Sequence, residues 1–477
     1  MPLRLKKTKV YHIFLTVILV AAVGGGIFSS TCFLDIIITS RHAINVWNAL
    51  VEGKILQFYS YNLDLEYLPG YSFTYSALYN IVEYIIFAIY DFPLWVIEKI
   101  TGINTLGTVS GILYAKAIVL VFLAGTAYVT GKICDSLFLT EKKKKLVISL
   151  LLTSAFTFTT VYSMGQYDII LLFFVMNGVW GWIIGDNKKF LLSFMIAVPL
   201  KMFALLIFIP ILLLKEKRIL EIIRKTFIVL SVYFVTTILY ICTDAIGMQE
   251  ASLGQMELIS RIFYNSINLS MEPVSIFIIC MFVLCISCYV IRFPEETIGD
   301  WIIWISFLSM LVLCVTVPVH PQWCILLVPF MAILIATREE RITALLLIEM
   351  IGTLSLSISL YIYYNNTASA NLVDILWMGR VFGRVNDTKN MISVFTILGD
   401  RGLQRVFNLI YKVGLAGFIA SSGLFAFLTC PSRAGKQIML YSNDKLTACC
   451  FCIRLVGGFA LTLIPIAGFV MALKLGL

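Results

Sequence analysis

The sequence predicts an all-α, polytopic integral membrane protein, and three observations carry that prediction. Of its 477 residues 60% are hydrophobic and 13% charged, with a mean hydropathy of +0.94, values that water-soluble globular domains do not reach. Apolar runs recur along the whole chain, many of them near the roughly 20 residues that cross a hydrocarbon core about 30 Å thick as a helix. The Lys and Arg behind the net charge of +9 stand in short clusters between those runs, a pattern that sets orientation in a membrane and does not ask for nucleic acid.

Taken in order, Arg4, Lys6, Lys7 and Lys9 precede the apolar run from Tyr11 to Phe28. That run is too long for the core of a signal peptide and reads as an uncleaved first span with a cytoplasmic N-terminus. A first outer loop of about residues 29–109 follows. It holds an amphipathic piece from Ile37 to Leu50, a turn segment ending Tyr67-Leu68-Pro69-Gly70-Tyr71, and an apolar stretch from Ser72 to Ile97 interrupted at Asp91-Phe92-Pro93. If that stretch crossed, Lys132 and the Lys142-Lys143-Lys144-Lys145 run would face outward against the charge rule, so it is expected to form juxtamembrane or partly re-entrant helices.

Thr108 to Gly131 is then the second span, Leu146 to Tyr162 runs outward and Ile169 to Gly185 returns. Phe190 to Leu214 carries Pro199, Lys201 and Pro210, and only a hairpin keeps Lys215, Lys217 and Arg218 on the same side as Lys188 and Lys189. Later spans are expected near Phe227–Ile241, Val274–Ile291, Trp301–Val317, Trp323–Ala336, Ile342–Tyr361, Phe407–Thr429 and Cys450–Ala472. With both hairpin arms the total is about 13 membrane segments. A late outer loop of about residues 363–405 carries Arg380, Arg384, Lys389, Arg401 and Arg405, basic groups on the side where the orientation rule disfavours them, which suits either surface solvation or an anion-binding lid. With no fixed-period repeat and no Gly/Ser linker, residues 1–477 read as one transmembrane domain. The twelve cysteines lie mostly inside apolar runs without metal-type spacing and read as small hydrophobes.

A few polar residues stand where lipid makes them costly. Asp35 lies about one turn beyond the first span, either as an interfacial helix-end residue or as a general base held against an acceptor hydroxyl. Gln166 and Asp168 sit in the short turn Ser163-Met164-Gly165-Gln166-Tyr167-Asp168; Asp168 there either caps the next helix or orients a ligand. Lys201, at the expected hairpin tip, needs a partner or a wet cavity, and a fixed cation in a pocket suits a phosphate. His320, in Val317-Pro318-Val319-His320-Pro321-Gln322-Trp323, is either an interfacial polar residue or a donor to a phosphate or sugar oxygen.

These residues, in this order and on one expected face, resemble the GT-C superfamily of membrane glycosyltransferases, which take a sugar from a polyprenyl-phosphate carrier. Asp35 matches the family's first-loop acid, and Tyr67 to Tyr71 resembles its Pro-containing approach to an outer helix. Gly165-Gln166-Tyr167-Asp168 is similar to its Gly/Gln/Asp turn, Lys201 falls between two short segments as in many members, and His320 with Gln322 resembles a late His or Gln/aromatic motif.

The resemblance implies a GT-C-like fold and an inverting, mannosyltransferase-like hexosyl transfer at the non-cytoplasmic face of a plasma or ER membrane. Asp35 would be catalytic, and Asp168, Gln166, Lys201, His320, Gln322 and Tyr67 would bind substrate. The partners implied are a polyprenyl-phosphate sugar donor, a lipid-linked or cell-envelope glycan acceptor and membrane lipid, with no nucleic acid. The resemblance admits a divalent metal, Mg or Mn, although Asp35 lacks the adjacent second acid of metal-pairing members. The alternative from another class is a flippase of lipid-linked glycans, which should show duplicated halves, broken helices in equivalent positions and charges lining a path through the core, whereas this chain has one Pro-broken hairpin and gathers its polar groups on one face. An envelope polysaccharide polymerase or ligase, with its donor glycan on a pyrophosphate carrier, is a nearer rival in sequence.

Overall fold

A computed structural model describes residues 28, 31–63, 76–268, 272–367, 374–375, 394–433 and 444–475. The first expected span up to residue 27, Tyr67 and the loop basics Arg380, Arg384 and Lys389 lie outside the described residues. What is described is an all-α membrane protein: six helices are long and apolar enough to cross a membrane, or seven if a bent pair is one span. The six cover the spans expected from residues 108, 227, 301, 342, 407 and 450 onward. Other expected spans are shorter apolar helices of 10–17 residues.

Two helices expected beside the membrane form and pack against each other. Helix α1 (Leu34–Val51) covers the expected amphipathic piece, with Asp35 in its first turn, where a carboxylate complements the helix dipole. After the short helix α2 (Phe58–Tyr61), α3 runs from Ile81 to Thr101, opened by the Asn80 side chain accepting from the Val82 amide and closed by Gly102 at φ 68°. Contrary to the expected interruption at Asp91-Phe92-Pro93, α3 is continuous, because Pro93 costs a single backbone bond while the helix face keeps its packing. That face buries Ile81, Tyr84, Phe87, Ala88, Asp91 and Leu94 at helical spacing. It is stitched to α1 by Trp47 Nε1 donating to the Ala88 carbonyl at 2.8 Å, by Trp95 Nε1 donating to Asn48 at 2.9 Å and by the bidentate Arg41–Glu98 pair at 2.8 and 2.9 Å.

Helix α4 (Val109–Ser136), capped by the Thr108 side chain, is the second expected span, extended by several residues. The stretch from Leu146 to Tyr162, expected to run outward, is a bent pair: α5 (Glu141–Leu152) and a wide π-helical segment (Thr157–Met164) meet at 57°. Thr153 and Thr157 donate their hydroxyls to carbonyls of α5 at the bend, which removes the backbone's need to continue straight. The segment ends at Gly165 with φ 73°.

Helix α6 (Asp168–Ile183) leads into α7 (Asn187–Leu200) and α8 (Ala204–Lys215), and the last two form the expected hairpin. The Phe190 and Phe208 rings lie 5.2 Å apart; in one straight helix the same residues would be separated by about 27 Å. At the open end Lys215 donates to the Trp182 carbonyl at 2.8 Å and Trp182 donates to the Ile211 carbonyl at 2.7 Å. At the closed end, Lys201 breaks the helix in an extended conformation.

The rest of the chain supplies α9 (Ile219–Thr243), α10 (Ala245–Ser260), α11 (Ile276–Val290), α12 (Ile298–Thr316), α13 (Val328–Thr337), α14 (Ile342–Thr367), α15 (Val394–Leu398), α16 (Gln404–Thr429) and α17 (Asp444–Leu475). The turn Pro321–Leu327 that precedes α13 packs against the hairpin tip, with the Phe203 and Trp323 rings 4.5 Å apart. α17 is tied to α14 and α5 by one buried Arg: Arg454 pairs with Glu349 at 2.8 and 3.0 Å and donates to the Leu150 carbonyl at 2.7 Å. Two residue pairs of antiparallel strand, Thr31↔Ile375 and Cys32↔Asp374, join the segment before Asp35 to the late loop. A second small ribbon pairs Ser266–Asn268 with Pro273–Ser275.

Candidate functional site

Three stretches far apart in sequence meet where α1, α6 and the α7–α8 hairpin tip come together. Phe33 donates its amide to the Met164 carbonyl at 2.9 Å, which sets the start of α1 against the end of the π-helical segment. Gln166 then donates from Nε2 to Asp35 Oδ2 at 3.0 Å. Two residues on, Asp168 opens α6 and accepts from Lys201 Nζ at 2.6 Å, a pair whose side chains are 0% and 10% exposed. The Lys201 ammonium also stands 5.3 Å from the Tyr79 ring centroid and 5.1 Å from that of Tyr167, where the ring faces favour a cation.

The structure adds a residue that the sequence reading did not single out. Glu83, on the inner face of α3, is 3% exposed and lines a narrow crevice with Phe87, Tyr167, Ile170, Leu200 and Lys201. Three carboxyl groups, Asp35, Glu83 and Asp168, thus surround one ammonium. Burial raises the Asp35 carboxyl above its ordinary range; the Gln166 hydrogen bond and Lys201 oppose this, and Asp168 reinforces it. Burial pushes Glu83 to about 8, against the attraction of Lys201 and with the repulsion of Asp168 and Asp35. Glu83 is therefore largely protonated at neutral pH.

That shift gives a stability prediction. The folded state holds the Glu83 proton more tightly than the unfolded chain, so its contribution is fully present below the ordinary Glu value near 4.5 and is lost as pH rises through about 8. Thermal unfolding of the wild type in nanodiscs should therefore drop between pH 6 and pH 9, and Glu83→Gln should flatten that drop. An identical pH dependence in both proteins would show that Glu83 is ionised throughout.

Several oxygens in this cluster have no partner of their own. Among the described residues, Glu83 Oε1, Gln166 Oε1 and Asp168 Oδ2 are buried without a hydrogen-bond partner, a cost of about 1–3 kcal/mol each unless something supplies one. Ligand hydroxyls or water would do so. Among the described residues no group of three His, Cys, Asp or Glu side chains is placed to hold a metal ion; Asp35 is bonded to Gln166 and Asp168 to Lys201.

His320 stands at the edge of the same region. It contacts the Arg261 guanidinium through Nε2 and packs edge-on against Trp323 at 5.3 Å. Burial, Arg261 and Lys201 all lower its basicity, to about 3, so the ring is neutral and its Nε2 accepts from Arg261. Gln322 is buried in the following turn, without a hydrogen bond to Asp35, Asp168 or Lys201. Arg401 and Arg405 are exposed and are likewise not bonded to the cluster.

The structure thus brings together Asp35, Gln166, Asp168 and Lys201, with His320 beside them and Gln322 at the periphery. Sequence reasoning passed over Glu83, Tyr79 and Arg261. Glu83 was open to discovery by the signal that exposed Lys201, a charge inside an apolar run; Arg261 carried no such signal, because only the fold brings it to His320. Comparison with protein-family models finds none that matches this chain, and comparison with curated protein sequences finds none either.

Proposed function

We propose that this protein is a GT-C-like, inverting glycosyltransferase that moves a sugar from a polyprenyl-phosphate carrier to a hydroxyl of a lipid-linked or cell-envelope glycan. The carrying observation is the meeting of Asp35, Gln166, Asp168, Lys201 and Glu83 from four chain segments, with buried acceptors left over. In this reading the short helices and the first span bring the membrane segments to about 13, and the cluster faces the non-cytoplasmic side.

The acceptor hydroxyl attacks the anomeric carbon and passes its proton to Asp35. The bond from that carbon to the phosphate oxygen breaks on the opposite side, and its electron pair leaves with the polyprenyl phosphate. Inversion follows from the single displacement. The acid-rich side, with its orphaned acceptors, suits sugar hydroxyls; Lys201, Arg261 and neutral His320 form the side that suits the departing phosphate. Asp168 holds Lys201 in place. The polyprenyl tail remains in lipid.

The test is incubation of the purified protein in nanodiscs with radiolabelled polyprenyl-phosphate monosaccharides and lipid-linked acceptors. Release of polyprenyl phosphate with a labelled, inverted product is the expected result. Movement of intact lipid-linked sugar across proteoliposomes without cleavage would favour a flippase. Turnover only with glycans on a pyrophosphate carrier would favour a polymerase or ligase.

A further inference from the structure

Lys116 is another buried cation, and its partners differ in kind from those of Lys201. It is 0% exposed on α4, and its ammonium donates to the carbonyls of Phe28, Thr31, Tyr162 and Ser163 at 2.9, 2.6, 2.7 and 3.0 Å. The ring of Phe28 lies 4.4 Å from it. A charge in a membrane helix costs about 2.5–3.5 kcal/mol on insertion scales, so a purely apolar residue would serve packing better. What the charge does is gather carbonyls from two segments.

Those segments are the ones that carry the site. Phe28 and Thr31 immediately precede Asp35; Tyr162 and Ser163 immediately precede Gln166 and Asp168. The carbonyls of Tyr162 and Ser163 end the π-helical segment, where helical backbone lacks partners. Thr31 Oγ1 adds a bond to the Ser163 carbonyl at 3.0 Å. Gly165 completes the arrangement: at φ +73° a side chain is strained, and a Cβ there would fall 2.7 Å from Lys116 Cγ and Cε. Backbone conformation and the lysine stem both require glycine.

We propose that Lys116 is a positioning residue, which clamps the chain before Asp35 to the chain before Gln166 and so holds the Gln166–Asp35 hydrogen bond. The catalytic arm of this proposal rests on the glycosyltransferase reading above; the conformational arm does not. Loss of the Gln166 hydrogen bond removes one of the interactions that lower the Asp35 carboxyl, so the acid limb of kcat/KM moves to higher pH.

The experiment compares wild type, Lys116→Met, Gln166→Leu, the double variant and Gly165→Ala in nanodiscs. K116M should lower kcat with a smaller change in KM and move the acid limb upward in the same direction as Q166L, and the double variant should go no further. G165A, which displaces the lysine without removing its charge, should behave like K116M, and it carries the test if K116M does not fold. Amide hydrogen exchange should quicken in residues 31–36 and 160–168 together. A folded K116M with wild-type pH limb and wild-type exchange in those two segments would overturn the proposal. If no donor turns over in wild type, the exchange result alone decides on Lys116, and the functional reading fails separately.

Discussion

Asp35→Asn is expected to reduce transfer by about 10²–10⁴-fold, the contribution of a positioned general base. Asparagine keeps the side-chain shape and an oxygen that accepts from Gln166 Nε2, whose bond to Asp35 is 3.0 Å long, so the fold and the donor KM should change little. The quantity to measure is the initial rate of polyprenyl-phosphate release at saturating donor and acceptor. Wild-type activity should rise with pH through a limb above the ordinary carboxyl range, because burial holds the Asp35 proton more tightly, and D35N should lack that limb. Equal rates in the two proteins would remove Asp35 from the chemistry.

Lys201→Met is expected to damage both stability and donor binding. Asp168 is fully enclosed and its Oδ2 already lacks a partner; without the ammonium both oxygens would be orphaned in a buried site. Breaking a buried pair from one side costs about 3–5 kcal/mol, whereas replacing both members by apolar groups of similar volume is often close to neutral. Thermal unfolding should accordingly show a large loss for K201M and substantial recovery in Lys201→Met/Asp168→Leu. Donor binding should stay weak in the double variant, since the cation is still missing. A double variant that binds polyprenyl-phosphate sugar as tightly as wild type would reduce Lys201 to a structural partner of Asp168.

These two variants probe what sequence and fold each contributed. Lys201 and Asp168 were visible because a charge within an apolar run is costly and needs a reason. Their pairing was not, because they stand 33 positions apart, at the start of α6 and the end of α7, and only packing brings those two ends together. The Pro199, Lys201 and Pro210 pattern did foretell the α7–α8 hairpin, although only Lys201 breaks the helix there and Pro199 and Pro210 lie inside α7 and α8. Where local chemistry competes with itself, prediction fell short. Asp91-Phe92-Pro93 reads as a break, yet α3 passes through it; Leu146 to Tyr162 reads as one span, yet threonine hydroxyls at the bend let the backbone turn by 57°.

From composition and charge alone, the chain's solvent, its helical class and most of its long apolar helices could be read, because lipid imposes length and periodicity on each segment independently of the others. Which costly side chains share a pocket was decided only by tertiary structure. Asp35 meets Gln166 across 131 residues of chain, Glu83 joins them from α3, and Lys116 ties together the segments before Asp35 and Gln166. Burial, mutual repulsion and orphaned acceptors arise between segments, and no single segment carries them.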